Sequence, residues 1–121
     1  MVDGARIGHV LDPRTGRPAP DFGSISVWTR DATAADCLST GLYVLGPERA
    51  LELARELSAA GEAVEVVVLE RAAEALRARA TPGLAGRLRA LEPSLAVDFS
   101  PPTRPRAARQ PSDEPTHKEE R

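Results

Sequence analysis

Two oxygen-bearing side chains, Asp36 and Thr40, lie four residues apart in the run ADCLST, and Ser39 stands beside the second. In a helix, residues four apart project from the same face, one turn from each other. A carboxylate and a hydroxyl placed in this way form part of a ligand set for Mg²⁺, which prefers oxygen ligands and often keeps waters beside one or two carboxylates. Structural alternatives stay open: an acidic residue in the first helical turn interacts favourably with the helix dipole, and a helical threonine often bonds a carbonyl one turn back.

A second group of chemically useful residues is the run HVLDPRTGRP at positions 9–18. Its density of proline, glycine, aspartate and threonine predicts an ordered polar loop over residues 10–20. Asp12 is expected to bond the backbone of its own turn, and Arg14 is either a solvated charge or a fork for a phosphate. The imidazole of His9 is either a structural hydrogen-bonding group or one that exchanges a proton near neutral pH.

The elements that position these groups can be read from periodicity. The alternating run SISVWT predicts a strand over residues 24–29, and the β-branched run AVEVVVLE predicts a buried strand over residues 63–70 that pairs with it. Between them, Thr33 is the expected N-cap of a helix that ends at Gly46, and Pro47 begins a second helix that ends at Gly61.

Beyond the second strand, alanine, leucine and arginine predict helical segments over residues 71–80 and 84–92, separated by the run TPG. The run LAVDF at residues 95–99 predicts a last short strand. The fold class is therefore α+β, with a small sheet covered by helices on one face. Because two strands make a poor sheet, we expect them to belong to a larger one.

Composition limits the function classes. The chain has 121 residues and a net charge of −2, and its arginines are interleaved with acidic residues, so nucleic-acid binding is not favoured. Its single cysteine, Cys37, excludes an internal disulfide and is expected to be a small buried side chain. No apolar run reaches the length of a membrane span and no secretory signal is recognisable, which predicts a cytoplasmic location.

The chain divides into two parts by composition. From residue 100 onward it combines prolines with charges of both signs and carries no aliphatic side chain larger than alanine. Such a segment buries too little apolar surface to offset the entropy of ordering. We expect a folded domain over residues 1–99 and a disordered tail over residues 100–121.

Taken together, the runs GHVLDPRTGRPAP, SISVWT and ATAADCLSTGLYVLGPERALELA resemble, in order and spacing, the C-terminal part of the ApbE family of FAD:protein FMN transferases. The resemblance covers roughly residues 8–69. It implies an Mg²⁺-dependent enzyme that takes FAD as substrate, breaks its diphosphate and joins FMN through a phosphoester to a Thr or Ser hydroxyl of a target flavoprotein.

The resemblance also implies roles for individual residues. Asp36 and Thr40 match the metal-ligand positions of the family, and Ser39 takes an adjacent position where some members add an oxygen. Val10 matches a flavin-contacting aliphatic position, and His9 matches a loop histidine near the nucleotide. The residues that perform the catalytic step are not identified.

The chain departs from the family pattern upstream of His9, where relatives carry the glycine-rich part of the flavin site. We therefore expect a C-terminal fragment of a transferase, whose partners are the flavin-acceptor protein and a missing N-terminal half. Full-length relatives are commonly exported. Three other outcomes stay open: an inactive fragment, a non-catalytic interaction module, and hydrolysis of FAD to FMN and AMP.

Overall fold

A small hairpin opens the part of the chain that the computed structural model describes, residues 8–71 and 75–99. Its strands are β1 (Leu11–Asp12) and β2 (Arg17–Pro18), paired antiparallel. The turn closes where the Gly16 N–H donates to the Asp12 carbonyl at 2.8 Å, and Gly16 has a φ of 67°, which glycine adopts without strain. The ordered polar loop predicted over residues 10–20 is confirmed as this hairpin.

Two helices follow the strand β3 (Gly23–Trp28): α1 (Ala32–Leu45) and α2 (Pro47–Ala59). The N-cap of α1 is Asp31, whose carboxylate accepts from the Ala34 N–H at 2.7 Å. The prediction of Thr33 as the cap is wrong, because the earlier aspartate supplies the acceptor. The predicted junction is confirmed, since Gly46 ends α1 with a φ of 81° and Pro47 begins α2.

The main sheet has four strands in the order β3-β4-β5-β6, where β4 is Glu65–Arg71, β5 is Leu76–Ala80 and β6 is Val97–Asp98. The predicted pairing of the first two strands is confirmed: β3 and β4 are antiparallel, with Ser26 opposite Val67. Strand β5 pairs antiparallel with β4, and β6 runs parallel to β5. The sheet is therefore larger than the two strands first recognised, as expected, and the described part of the chain supplies four of its strands.

Both helices predicted after β4 are wrong. Residues 76–80 form β5, because backbone pairing with β4 overrides the local preference of alanine, leucine and arginine for helix. A 3-10 turn at Pro82–Leu84 leads into the second segment, residues 84–92, and Gly86 with a φ of 74° prevents its continuation as a helix. The predicted last strand is confirmed as β6. The predicted disordered tail lies outside the described residues, as do residues 72–74.

The core lies between the sheet and the two helices, so the α+β class with helices on one face is confirmed. Val66 and Val68 of β4 form one buried cluster with Leu42 of α1 and Leu51 of α2. Arg79, of which the side chain is 10% exposed, joins sheet and helix on that same face. Its Nε donates to Glu70 at 2.6 Å and its Nη2 donates to Glu48 of α2 at 2.9 Å.

Candidate functional site

An open groove of about 490 Å³ lies between the start of the hairpin, the start of β3 and one face of α1. Its lining comes from residues 8–10, from Asp21 with residues 23–25, and from three side chains of α1, namely Ser39, Thr40 and Tyr43. Small-molecule sites in proteins typically have volumes of about 300–1,000 Å³. The groove is therefore large enough to hold part of a nucleotide.

The floor of the groove depends on Gly23. This residue has a φ of 141°, and a Cβ built on it would lie 2.1 Å from the Leu69 carbonyl oxygen of the neighbouring strand. Any side chain at this position would push β3 away from β4. Glycine is therefore required where the sheet begins beneath the groove.

The helical wall is a polar stripe. Asp36, Thr40 and Tyr43 follow one another at spacings of four and three residues, with Ser39 beside them, so they share one face of α1. Ser39 and Thr40 line the groove, whereas Asp36 lies one turn nearer the start of the helix and outside the lining. The predicted metal residues thus share one helix face, of which Ser39 and Thr40 reach the groove.

The position and bonding of Asp36 bear on whether its carboxylate has a structural role in the helix. Because α1 begins at Ala32, no acidic residue lies in its first turn, and the helix dipole does not account for this carboxylate. Asp36 is exposed, and its carboxylate makes no hydrogen bond or ion pair within the described part of the chain. Ser39, not Thr40, bonds back along the helix, donating to the Asp36 carbonyl at 2.9 Å.

These residues fit part of a magnesium site. The carboxylate of Asp36 and the hydroxyl of Thr40 are hard oxygen ligands one turn apart, and Mg²⁺ usually completes its shell with waters and substrate phosphates. Among the residues that the structure describes, there is no group of three or more His, Cys, Asp or Glu side chains that could hold a metal ion.

The opposite wall comes from the residues before the hairpin. His9 is exposed and Val10 is half-buried, and both line the groove. The hairpin beside them is held by Arg14, whose backbone N–H and Nε each donate to Asp12 Oδ1 at 2.9 Å. Because the guanidinium of Arg14 hydrogen-bonds the Asp12 carboxylate, the pKa of Asp12 lies below its ordinary value. Arg14 is thus paired within the hairpin and is not directed at the groove.

Asp21 and Tyr43, which pair with each other in the groove, were not among the sequence-based candidates. The Tyr43 hydroxyl donates to Asp21 Oδ1 at 3.4 Å, and its ring stacks on Phe22 with centroids 4.6 Å apart. Burial raises the pKa of Tyr43, and the negative charge of Asp21 adds to the shift. Tyr43 could have been found from its place three residues after Thr40, but no local pattern links it to Asp21.

Cys37, in contrast, does not belong to the core. The prediction of a small buried side chain is wrong, because Cys37 is exposed. It lies on the side of α1 that faces a second, mostly apolar groove beside Leu11 of the hairpin.

Comparison with known proteins identifies the family. Residues 1–65 match the model of the ApbE family, which is more than half of the chain. The chain belongs to the ApbE family. It is 49% identical over 55 residues to the FAD:protein FMN transferase of Escherichia coli strain K12, covering 45% of this chain and 16% of that protein. It is 46% identical over 70 residues to the enzyme of the same name from Klebsiella pneumoniae strain 342, covering 57% and 19%.

The similarity extends further than residues 8–69. The FAD:protein FMN transferase of Treponema pallidum strain Nichols is 34% identical over 97 residues, covering 79% of this chain and 25% of that protein. Wherever it begins, a stretch of that length reaches well beyond Glu70, so strand β5 belongs to the shared region. The matched part spans between about a sixth and a quarter of these ApbE relatives.

Two further findings complete the comparison. No solved structure matches the chain closely enough to be informative. Within the described residues, none of the helices is both long and apolar enough to cross a membrane.

Proposed function

We propose that this chain supplies part of the nucleotide site of an Mg²⁺-dependent FAD:protein FMN transferase, which joins FMN to a Thr or Ser hydroxyl of a target flavoprotein. The observation that carries the proposal is the groove itself. It unites Ser39 and Thr40 of the helical stripe with His9 and Val10 of the loop, two motifs separated by about thirty residues of sequence.

Asp36 and Thr40 are the residues that would hold the metal. The Ser39 hydroxyl donates its proton to the Asp36 carbonyl, so its oxygen still has lone pairs for a further bond to the metal. The exposed carboxylate of Asp36 has no competing cation among the described residues. Bound Mg²⁺ would offset the negative charge of the FAD diphosphate. The helix holds the two ligands in a fixed relative position, which reduces the entropy lost when the substrate binds.

The proposed transfer has a simple atomic balance. The oxygen of the acceptor hydroxyl forms a bond to the phosphorus of the FMN half, and the bond from that phosphorus to the bridging oxygen breaks. AMP leaves with the bridging oxygen and the electron pair of the broken bond. The hydroxyl proton passes to a base, and we assign this role to His9 because it is an exposed imidazole that lines the groove. Val10 offers an aliphatic surface to the flavin ring.

The test mixes the full chain with FAD, Mg²⁺ and a flavin-acceptor protein, and follows covalent flavin fluorescence on the denatured acceptor. Because the matched segments cover 16% to 25% of the relatives, a second arm adds the remaining part of the Escherichia coli relative as a separate polypeptide. We expect labelling in the second arm, and its loss in Asp36→Ala. Glu62→Ala is the matched control, since Glu62 is an exposed carboxylate away from the groove.

The other outcomes discriminate between the alternatives. Release of FMN and AMP without labelling of the acceptor indicates hydrolysis of FAD. Absence of both labelling and nucleotide cleavage in the two arms contradicts the proposal and favours an interaction module. Equal labelling by the wild type and by Asp36→Ala contradicts the assignment of Asp36 as a metal ligand.

A further inference from the structure

A polar cluster at the base of the groove is not used by the proposed transfer. The Asp21 side chain is 23% exposed, and its Oδ1 accepts from the Tyr43 hydroxyl at 3.4 Å. Its Oδ2 forms an ion pair with Nη1 of Arg71 at 3.7 Å, a separation beyond hydrogen-bonding distance. A carboxylate offers about four acceptor positions, so Asp21 can accept further hydrogen bonds from a ligand.

The cluster is held in place from both sides. The Tyr43 ring stacks on Phe22 with an angle of 27° between the rings, and the phenol oxygen keeps a lone pair after donating to Asp21. Asp21 and Tyr43 both line the groove, while Arg71 does not. A ligand in the groove therefore meets two fixed acceptors, one of them charged. Such a surface binds hydroxyl donors and repels phosphate.

The position of the cluster relative to the stripe sets which part of a nucleotide reaches it. Tyr43 follows Thr40 by three residues, about 4.5 Å along the axis at the usual helical rise. Helical side chains lean toward the N-terminus, which brings the phenol nearer to Thr40. In a nucleotide the sugar or sugar alcohol is esterified directly to the phosphate. With phosphate at Asp36 and Thr40, the adjoining polyhydroxyl group would be within reach of Asp21 and Tyr43.

On these grounds, and resting on the proposed function, we propose that Asp21 and Tyr43 form a subsite for the vicinal hydroxyls next to the substrate phosphate. The shared chemistry is a diol donating to a carboxylate and a phenol oxygen. Its source is either the ribose of the adenylate half or the ribityl chain of the flavin half. Carboxylates recognise ribose hydroxyls in the same way in dinucleotide-binding folds.

The experiment measures binding to the full chain in Mg²⁺ by titration calorimetry with two matched pairs of probes. One pair is ADP and 2′,3′-dideoxy-ADP, and the other is FMN and a flavin phosphate with an unhydroxylated alkyl chain. In one pair, loss of the hydroxyls is expected to weaken binding about tenfold to hundredfold, the usual range for hydrogen bonds to a charged group. The pair that responds identifies which half of the substrate lies on the subsite.

Variants connect the effect to the two residues. Asp21→Asn and Tyr43→Phe are expected to weaken binding of the hydroxyl-bearing probe, so that both members of the responding pair bind with the same affinity. Glu62→Gln, an exposed carboxylate outside the groove, is expected to change neither. Circular dichroism verifies that each variant is folded. Asp21→Asn and Tyr43→Phe test the two residues separately, so either variant that is folded decides whether the preference depends on this cluster.

Three results would overturn the subsite, and they are distinguishable from one another. Equal affinity within both pairs, together with loss of binding in Asp36→Ala, removes the subsite but leaves the proposed function standing. Absence of binding by all four probes removes both. A preference that persists in Asp21→Asn and Tyr43→Phe places the hydroxyls elsewhere in the groove.

Discussion

Replacement of Arg79 by methionine tests how the sheet is joined to α2. Arg79→Met keeps most of the volume of the buried stem and removes the guanidinium that bonds Glu70 at 2.6 Å and Glu48 at 2.9 Å. The two carboxylates differ in exposure, since the side chain of Glu70 is 22% exposed and that of Glu48 is 55% exposed. The cost therefore arises mainly at Glu70.

The magnitude follows from these exposures. Removal of one partner from a fully buried ion pair costs about 3–5 kcal/mol, because the other charge is left uncompensated. Glu70 retains some contact with water, and the exposed Glu48 contributes little. We therefore expect Arg79→Met to lower the free energy of unfolding by about 2 kcal/mol. At about 4–8 °C per kcal/mol for a domain of this size, Tm falls by roughly 8–16 °C.

The assay is urea denaturation followed by circular dichroism, in a double-mutant cycle with Glu70→Gln. Once Glu70 is neutral, loss of the guanidinium leaves only the exposed charge of Glu48 unpaired, so the double variant is expected to be about 1–2 kcal/mol more stable than the sum of the single effects. Glu48→Gln is the matched control, expected to cost less than about 1 kcal/mol. Additive effects of Arg79→Met and Glu70→Gln would refute the reasoning.

Three further predictions concern α1 and the groove. Asp31→Ala removes the N-cap acceptor and is expected to lower the free energy of unfolding by about 1 kcal/mol in urea denaturation, whereas Asp31→Asn retains most of it. Leu42→Ala, at a side chain only 1% exposed, is expected to cost about 2–5 kcal/mol, and Leu45→Ala at the exposed end of the helix much less; similar losses would contradict the assigned core. Tyr43 is the single tyrosine, so alkaline phenolate absorbance reports it alone. Its pKa is raised above the ordinary value of 10.0 by burial and by Asp21, so the associated stability is complete below about pH 10 and is lost as pH rises through the folded pKa. A midpoint at or below that of the unfolded chain would contradict this, and Asp21→Asn is expected to lower it.

Local chemistry alone predicted much of the framework. The turn residues around Gly16, the Gly46-Pro47 junction and the alternation in SISVWT all reflect preferences that extend over a few residues. The spacing of Asp36 and Thr40 likewise places them on one face once the helix is recognised, wherever that helix packs. For this reason the fold class, strands β3 and β4, helices α1 and α2, and the shared face of Asp36 and Thr40 could be predicted from the sequence.

Tertiary structure decided what depends on distant partners. The run LRARA has the composition of a helix, and it becomes β5 because β4 offers backbone partners and Glu70 accepts from Arg79. Asp21 and Tyr43 are 22 residues apart, and only the packing of α1 against β3 joins them in one groove. Local sequence patterns reflect interactions between residues a few positions apart. Strand pairing and the base of the groove depend instead on contacts between segments far apart in the chain.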